Sequence, residues 1–276
     1  MATDYSVALP ATGLSITPIA AFADNYIWAL VDQGHCVIVD PGDAAPVETF
    51  LAAHGLCLDA ILVTHHHADH VGGVAPLATN WPGVPVYGPA VEAIAGVTHP
   101  LADGDVIELA ITPDLRWQVM SIPGHTRGHI AYLGGEILFC GDTLFAAGCG
   151  RLFEGTPAQM HASLTRLAAL PAATRVYCTH EYTLANLRFA LAVEPDNAQL
   201  VERSFREQER RQKGEPTLPS TIGLERETNP FLRVTAPQVM ASAASRAREV
   251  NGALPPGASD PQFVFAVLRQ WKNDFR

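Results

Sequence analysis

The heptapeptide THHHADH, Thr64 to His70, sets four histidines and an aspartate side by side. A solvated loop or a core strand has no use for so much imidazole. Neutral imidazoles and carboxylates are, however, the donors that borderline divalent ions take. His65 and His67 are two apart, so on a strand that extends this far they point to one side, with Asp69 and His70 following as the chain turns and His66 facing away. One ion would take His65 and His67, and a second Asp69 and His70. Each then needs further donors. The polar ends of three later apolar runs, SIPGHTRGH, ILFCGDTLF and VYCTHEY, offer His125, Asp142 and His180. A carboxylate has two oxygens, which makes Asp142 the natural shared ligand. A set without thiolate suits two divalent ions, Zn²⁺ first, with Fe or Mn as alternatives. Chance does not readily place such residues at four run ends. His35, His54, His99 and His161 stand alone and read as structural, while His129, in the same stretch as His125, reads as a support behind the ligands.

Ligands gather at strand ends because a sheet fixes the backbone while the adjoining loops stay free to present side chains. Residues 14–180 hold the runs this needs: ITPIA, YIWALV, CVIVD, AILVTH, VPVYG, VMSIPG, IAYLG, EILFCGD and VYCTH, short, rich in Val and Ile, and broken by Gly, Pro and Asp. Helix signals are fewer. Asp43 caps a stretch that stops at Gly55, and Thr156-Pro157 opens another. This is a mixed αβ sandwich. Beyond about residue 183 the texture turns charged and helix-favouring, through NAQLVERSFREQERRQKG, a Pro-rich turn at GEPTLPST and a last helix opened by Asp260-Pro261. The expected division is a catalytic domain over 1–182 and a small helical domain over 183–276. The run ERSFREQERRQK reads as a solvated helix face.

A 276-residue chain that is 48% hydrophobic can bury a large core. Its formal charge of −10 argues against a nucleic-acid binder. No apolar stretch is long enough to span a bilayer, and MATDYSVALPATG lacks the basic and apolar regions of a secretory signal, so a cytoplasmic monomer is expected. Five cysteines, without CxxC spacing, read as reduced thiols, with Cys36, Cys140 and Cys178 as small core hydrophobes.

The pattern HxHxDH, here His65, His67, Asp69 and His70, resembles the metallo-β-lactamase superfamily. ADNYIWAL, PGHTRGHI, GDTLFAAGCGRLFEGT, THEYT and the tail ending RQWKNDF are similar to its hydroxyacylglutathione hydrolase (glyoxalase II) family over nearly the whole length. The resemblance implies an α+β, four-layered αββα sandwich with a C-terminal helical domain. It implies one metal on His65, His67 and His125, a second on Asp69, His70 and His180, and Asp142 bridging. For substrate it implies Arg151, Tyr182, Arg269 and Lys272, the last two three apart on one helix face. Two departures stand out: Arg151 replaces a frequent Lys, and Phe153 replaces a Tyr. The implied reaction is hydrolysis of S-(2-hydroxyacyl)glutathione thioesters, S-D-lactoylglutathione to D-lactate and glutathione, in the detoxification of methylglyoxal. Water on a catalytic metal has a pKa of about 7 against about 15.7 in bulk, so a metal-bridging hydroxide would attack the thioester, with Asp142 holding the ions and Asp69 orienting the nucleophile. The thiolate, with a parent pKa of about 8.5, leaves without a strong acid. The competing readings are another hydrolase of this scaffold, a glutathione persulfide dioxygenase with one iron, and a catalytically silent binding module.

Overall fold

Short β-branched runs bounded by turn residues become strands, and the structure bears this reading out along the chain. The computed structural model describes residues 7–8, 14–254 and 257–275; of MATDYSVALPATG only Val7 and Ala8 are among them. By contact the chain divides into two units, one of residues 1–121, 126–141 and 177–181, the other of 122–125, 142–176 and 182–276.

In the first unit, β1 (Val7–Ala8), β2 (Ser15–Ala21), β3 (Asn25–Asp32), β4 (His35–Val39), β5 (Cys57–Leu62), β6 (Val86–Pro89) and β7 (His99–Leu101) form one sheet in sequence order. β1 to β4 run antiparallel, whereas β4 to β7 are parallel. Parallel neighbours need crossovers, and α1 (Ala44–His54), α2 (Ala68–Val71) and α3 (Val74–Asn80) lie in them. α1 begins and ends where the sequence signals it: Asp43 accepts from Ala45 N at 3.0 Å, and Gly55 closes it at φ 63°. Strand alternation then sorts the two faces of the sheet. Ile27, Ala29, Ile38, Ile61 and Val63 pack beneath Val47 and Leu51 of α1 and Val74 and Leu77 of α3. Trp28 points the other way, its indole N–H donating to Cys178 O at 3.0 Å and its ring 5.0 Å from Tyr177, edge on.

Those partners belong to a second sheet. β8 (Val106–Glu108), β9 (Arg116–Ser121), β10 (Ile130–Gly134) and β11 (Ile137–Gly141) are antiparallel neighbours. The chain then makes β12 (Leu144–Phe145), β13 (Gly148–Cys149) and α4 (Pro157–Ala168) before β14 (Arg175–Cys178) joins beside β11.

The second unit carries β12, β13 and α4, followed by α5 (Thr183–Val193), α6 (Ala198–Gln212), β15 (Ser220–Thr221), α7 (Ile222–Thr228), α8 (Pro237–Asn251) and α9 (Pro261–Asp274). Thr156 and Gln159 form a reciprocal capping box ahead of α4, and Asp260 accepts from Gln262 N at 2.7 Å ahead of α9. The expectation that α6 presents only a solvated face needs correction. Arg203 and Glu207 are 1% and 3% exposed, and Arg203 pairs at 2.7 Å with Glu225, itself fully buried in α7. Only Leu200 of α6 joins an apolar cluster, with Leu187 and Ala190 of α5, and the rest of its buried face is polar and pairs its charges. Glu225 also accepts from Ala147 N at 2.8 Å and from the Asn229 amide at 2.9 Å. That amide donates in turn to Phe145 O and Gly148 O, so α7 pins the hairpin of β12 and β13. All five thiols are free, with Cys36, Cys140 and Cys178 buried in β4, β11 and β14. Among the described residues no helix is long and apolar enough to cross a membrane.

Candidate active site

β5 stops at Leu62, short of the histidines, so His65 and His67 are not aligned by strand alternation as the sequence suggests; they stand on a loop. The loop is shaped by a buried carboxylate. Asp40, 2% exposed at the end of β4, accepts from Thr64 N and Thr64 Oγ1, both at 2.7 Å, and from His70 Nδ1 at 3.0 Å. The proton on His70 Nδ1 leaves its Nε2 as the lone-pair face. His180 is set the same way, with Nδ1 2.8 Å from Asp24 Oδ1. Asn25 donates to Asp69 Oδ2 at 3.0 Å, and that oxygen lies 3.6 Å from His70 Nε2 and 3.4 Å from His180 Nε2. Donor atoms of Asp69, His70 and His180 thus fall within 4.8 Å of one another. His65 Nε2 and His67 Nδ1 sit 3.1 Å apart, and the buried His129 ring stacks on His65 at 4.6 Å. His66 turns away to Glu92, its Nδ1 2.9 Å from a carboxylate that also takes the Thr126 hydroxyl and the Gly128 amide. Five of the expected ligands therefore lie in the first unit, and on His70 and His180 the Nε2 lone pair stands on the side of the Asp69 carboxylate.

The second unit supplies the other two. His125 Nε2 is 3.4 Å from Asp142 Oδ2, and its Nδ1 donates to the Arg151 carbonyl at 2.9 Å, so Nε2 again holds the lone pair. Asp142 precedes the β12–β13 hairpin and Arg151 follows it. The return is tight: a Cβ on Gly150 would lie 1.9 Å from Asp142 O, which only glycine avoids. His125 and Asp142 open into a cavity of about 500 Å³ lined also by Arg151, Phe153, Tyr182, Arg269 and Lys272. Phe153 stands edge-on to His125 at 5.2 Å and is 63% exposed. Tyr182, 37% exposed, packs edge-on against Phe145 at 5.4 Å.

The cations differ in what they touch. Arg269 is 4% exposed, over the Phe231 ring; it donates to Cys149 O at 2.7 Å and to Asn273 Oδ1 at 3.1 Å. Lys272 donates to Ala185 O at 3.0 Å. Burial, then the neighbouring charges of Arg269 and Arg188, push its ammonium down to about 8. Burial raises the Cys149 thiol despite Arg269 and Lys272 beside it, so it stays protonated and weakly nucleophilic. Arg151 is exposed. The sequence reading named the candidate ligands and the cations lining the cavity, but not Asp24, Asn25, Asp40 and Glu92, which hold His180, Asp69, His70 and His66. The first three sit in ADN and DPG, which read as ordinary turn signals.

Fold and donor set together define a class, and comparison with known proteins agrees. A model of the metallo-beta-lactamase superfamily matches residues 22–180, and one of the hydroxyacylglutathione hydrolase C-terminus matches 181–275. Hydroxyacylglutathione hydrolases of Cupriavidus taiwanensis and Pseudomonas aeruginosa PAO1 are 54% and 56% identical, each aligned over 95% of this chain and 100% of its own. Among solved structures, TTHA1623 in a di-iron-bound form is 29% identical at TM-score 0.55, covering 78% of this chain and 99% of that one. ETHE1 from Myxococcus xanthus shares the fold at TM-score 0.59 and 23% identity, over 99% of this chain and 100% of its own. The architecture is thus the α+β metallo-β-lactamase fold with a C-terminal helical region. The chain belongs to the hydroxyacylglutathione hydrolase family.

Proposed function

We infer that this enzyme hydrolyses S-(2-hydroxyacyl)glutathione thioesters, converting S-D-lactoylglutathione to D-lactate and glutathione and so disposing of methylglyoxal. The observation that carries the reading is the cavity that begins at His125 and Asp142 and is walled by cations in a protein of formal charge −10. An anionic thioester needs local positive charge against that mean field.

We propose that His65, His67 and His125 hold one divalent ion, that Asp69, His70 and His180 hold the second, and that Asp142 bridges them, with Zn²⁺ first and Fe or Mn as alternatives. The donor chemistry and the outward protons on His70, His125 and His180 support this. Ions bound there would polarise the thioester carbonyl and bring the pKa of water from about 15.7 towards about 7. Asp69, held by Asn25, has a carboxylate placed to orient the attacking water. Arg151, Tyr182, Arg269 and Lys272 bind and aim the glutathione moiety, and the departing thiolate needs no acid from the chain. A boundary at 182/183 between catalytic and helical domains is supported by the adjoining family matches. A cytoplasmic monomer that takes up neither nucleic acid nor membrane completes the proposal.

The test is metal quantification coupled to S-D-lactoylglutathione turnover on one purified sample. Two equivalents of metal are expected, with turnover lost on chelation and restored on reloading. Undiminished hydrolysis by metal-free protein refutes the reading. In Asp142→Ala most metal should leave both positions, because a shared ligand serves two ions; full occupancy in that variant removes the bridging role.

A further inference from the structure

Glutathione carries two carboxylates, and the two cations of α9 are already anchored on the protein itself. Arg269 is turned to the carbonyls of Cys149 and Gly150 and to Asn273, and Lys272 to the carbonyl of Ala185. Arg188 is a further cation beside them. It lies on α5 one helical turn beyond Ala185, hence on the same face. Ala185 both lines the cavity and receives Lys272. Arg188 is exposed and makes no hydrogen bond or ion pair among the described residues, which is also true of the Arg151 side chain. It lines a separate groove with Leu184, Gln208 and Arg211. Its charge is close enough to help lower Lys272. An uncommitted guanidinium therefore stands one helical turn from a residue that lines the cavity, on a different element from Arg151. A guanidinium suits a carboxylate, which it can meet with two parallel hydrogen bonds.

We propose that Arg188 is a specificity-determining contact that takes one of the two glutathione carboxylates beside the cavity, leaving the other to the cations that line it, Arg151, Arg269 and Lys272. This rests on the thioesterase reading above and extends it by one residue. The contact sits far from the reacting carbonyl and acts equally in ground and transition states, so its loss appears in KM.

The experiment measures Arg188→Ala and Arg188→Lys on S-D-lactoylglutathione and on two analogues, one amidated at the glycine carboxylate and one at the γ-glutamyl carboxylate. Removing one charge-assisted hydrogen-bonded pair should raise KM on the order of tenfold with kcat within about twofold, and lysine should restore part of the loss. On one analogue alone the wild type and Arg188→Ala should coincide, which identifies the carboxylate held. A KM within about twofold of wild type, or an equal rise on all three substrates, overturns the assignment. Wild-type protein inactive on the lactoyl thioester would instead bring down the functional reading itself.

Discussion

At the scale of single residues, the site depends on which nitrogen of each imidazole carries the proton. Asp24, Asp40 and the Arg151 carbonyl settle this for His180, His70 and His125. None of the three was legible in the sequence as a partner. Asp40 stands in VDPG, a turn signal that the backbone obeys, with φ 51°. What no local pattern announces is that the side chain folds inward to meet Thr64 and His70, because those contacts span 24 and 30 residues. The candidate ligands from His65 to His70 were legible because their spacing is local and their chemistry is dense. Lys272 gives this scale its prediction. Burial holds its ammonium near pH 8, so the charge is present below that pH and lost as pH rises through it. KM for the anionic thioester should therefore climb above about pH 8, and Lys272→Arg, charged throughout, should flatten the climb. A wild-type KM level from pH 7 to about pH 9.5 would contradict a charge role for Lys272.

At the scale of elements, caps and periods were readable, and buried polar networks were not. The capping box at Thr156 and the cap at Asp260 lie within three residues of sequence. The Arg203–Glu225 pair lies 22 residues apart and converts what reads as a surface helix into the clamp of a hairpin. Replacing Arg203 with Met should leave Glu225 buried without its counter-charge and cost about 3–5 kcal/mol in urea unfolding. A loss below about 1 kcal/mol would mean that Asn229 and Ser220 hold the acid unaided. β5 shows the opposite limit. The sequence runs on apolar to Val63 and invites an extended reading through the histidines, yet the strand ends at Leu62, where Asp40 captures the backbone of Thr64.

At the scale of the whole molecule, net charge and local charge oppose each other. With −10 overall, the mean field opposes an anionic substrate, and on the proposed reading Arg151, Arg188, Arg269 and Lys272 must attract it over a shorter range. Raising ionic strength from about 0.01 M to about 0.15 M shortens the screening length from about 30 Å to about 8 Å. If the rim cations govern encounter, kcat/KM falls across that interval, and it falls less in Arg188→Ala. If it rises, the overall repulsion dominates and the rim is too weak to steer. Composition alone showed the sign of the mean field. It could not show that Arg151, Arg269 and Lys272 converge on one cavity from the β12–β13 return and α9, since convergence is a property of the folded chain.

Arg151 serves two masters through two different atoms. Its carbonyl steadies His125 whatever side chain it bears, while the side chain alone faces the substrate rim. Substitution at this position is therefore expected to change the lining of the cavity while the hydrogen bond that orients His125 stays in place.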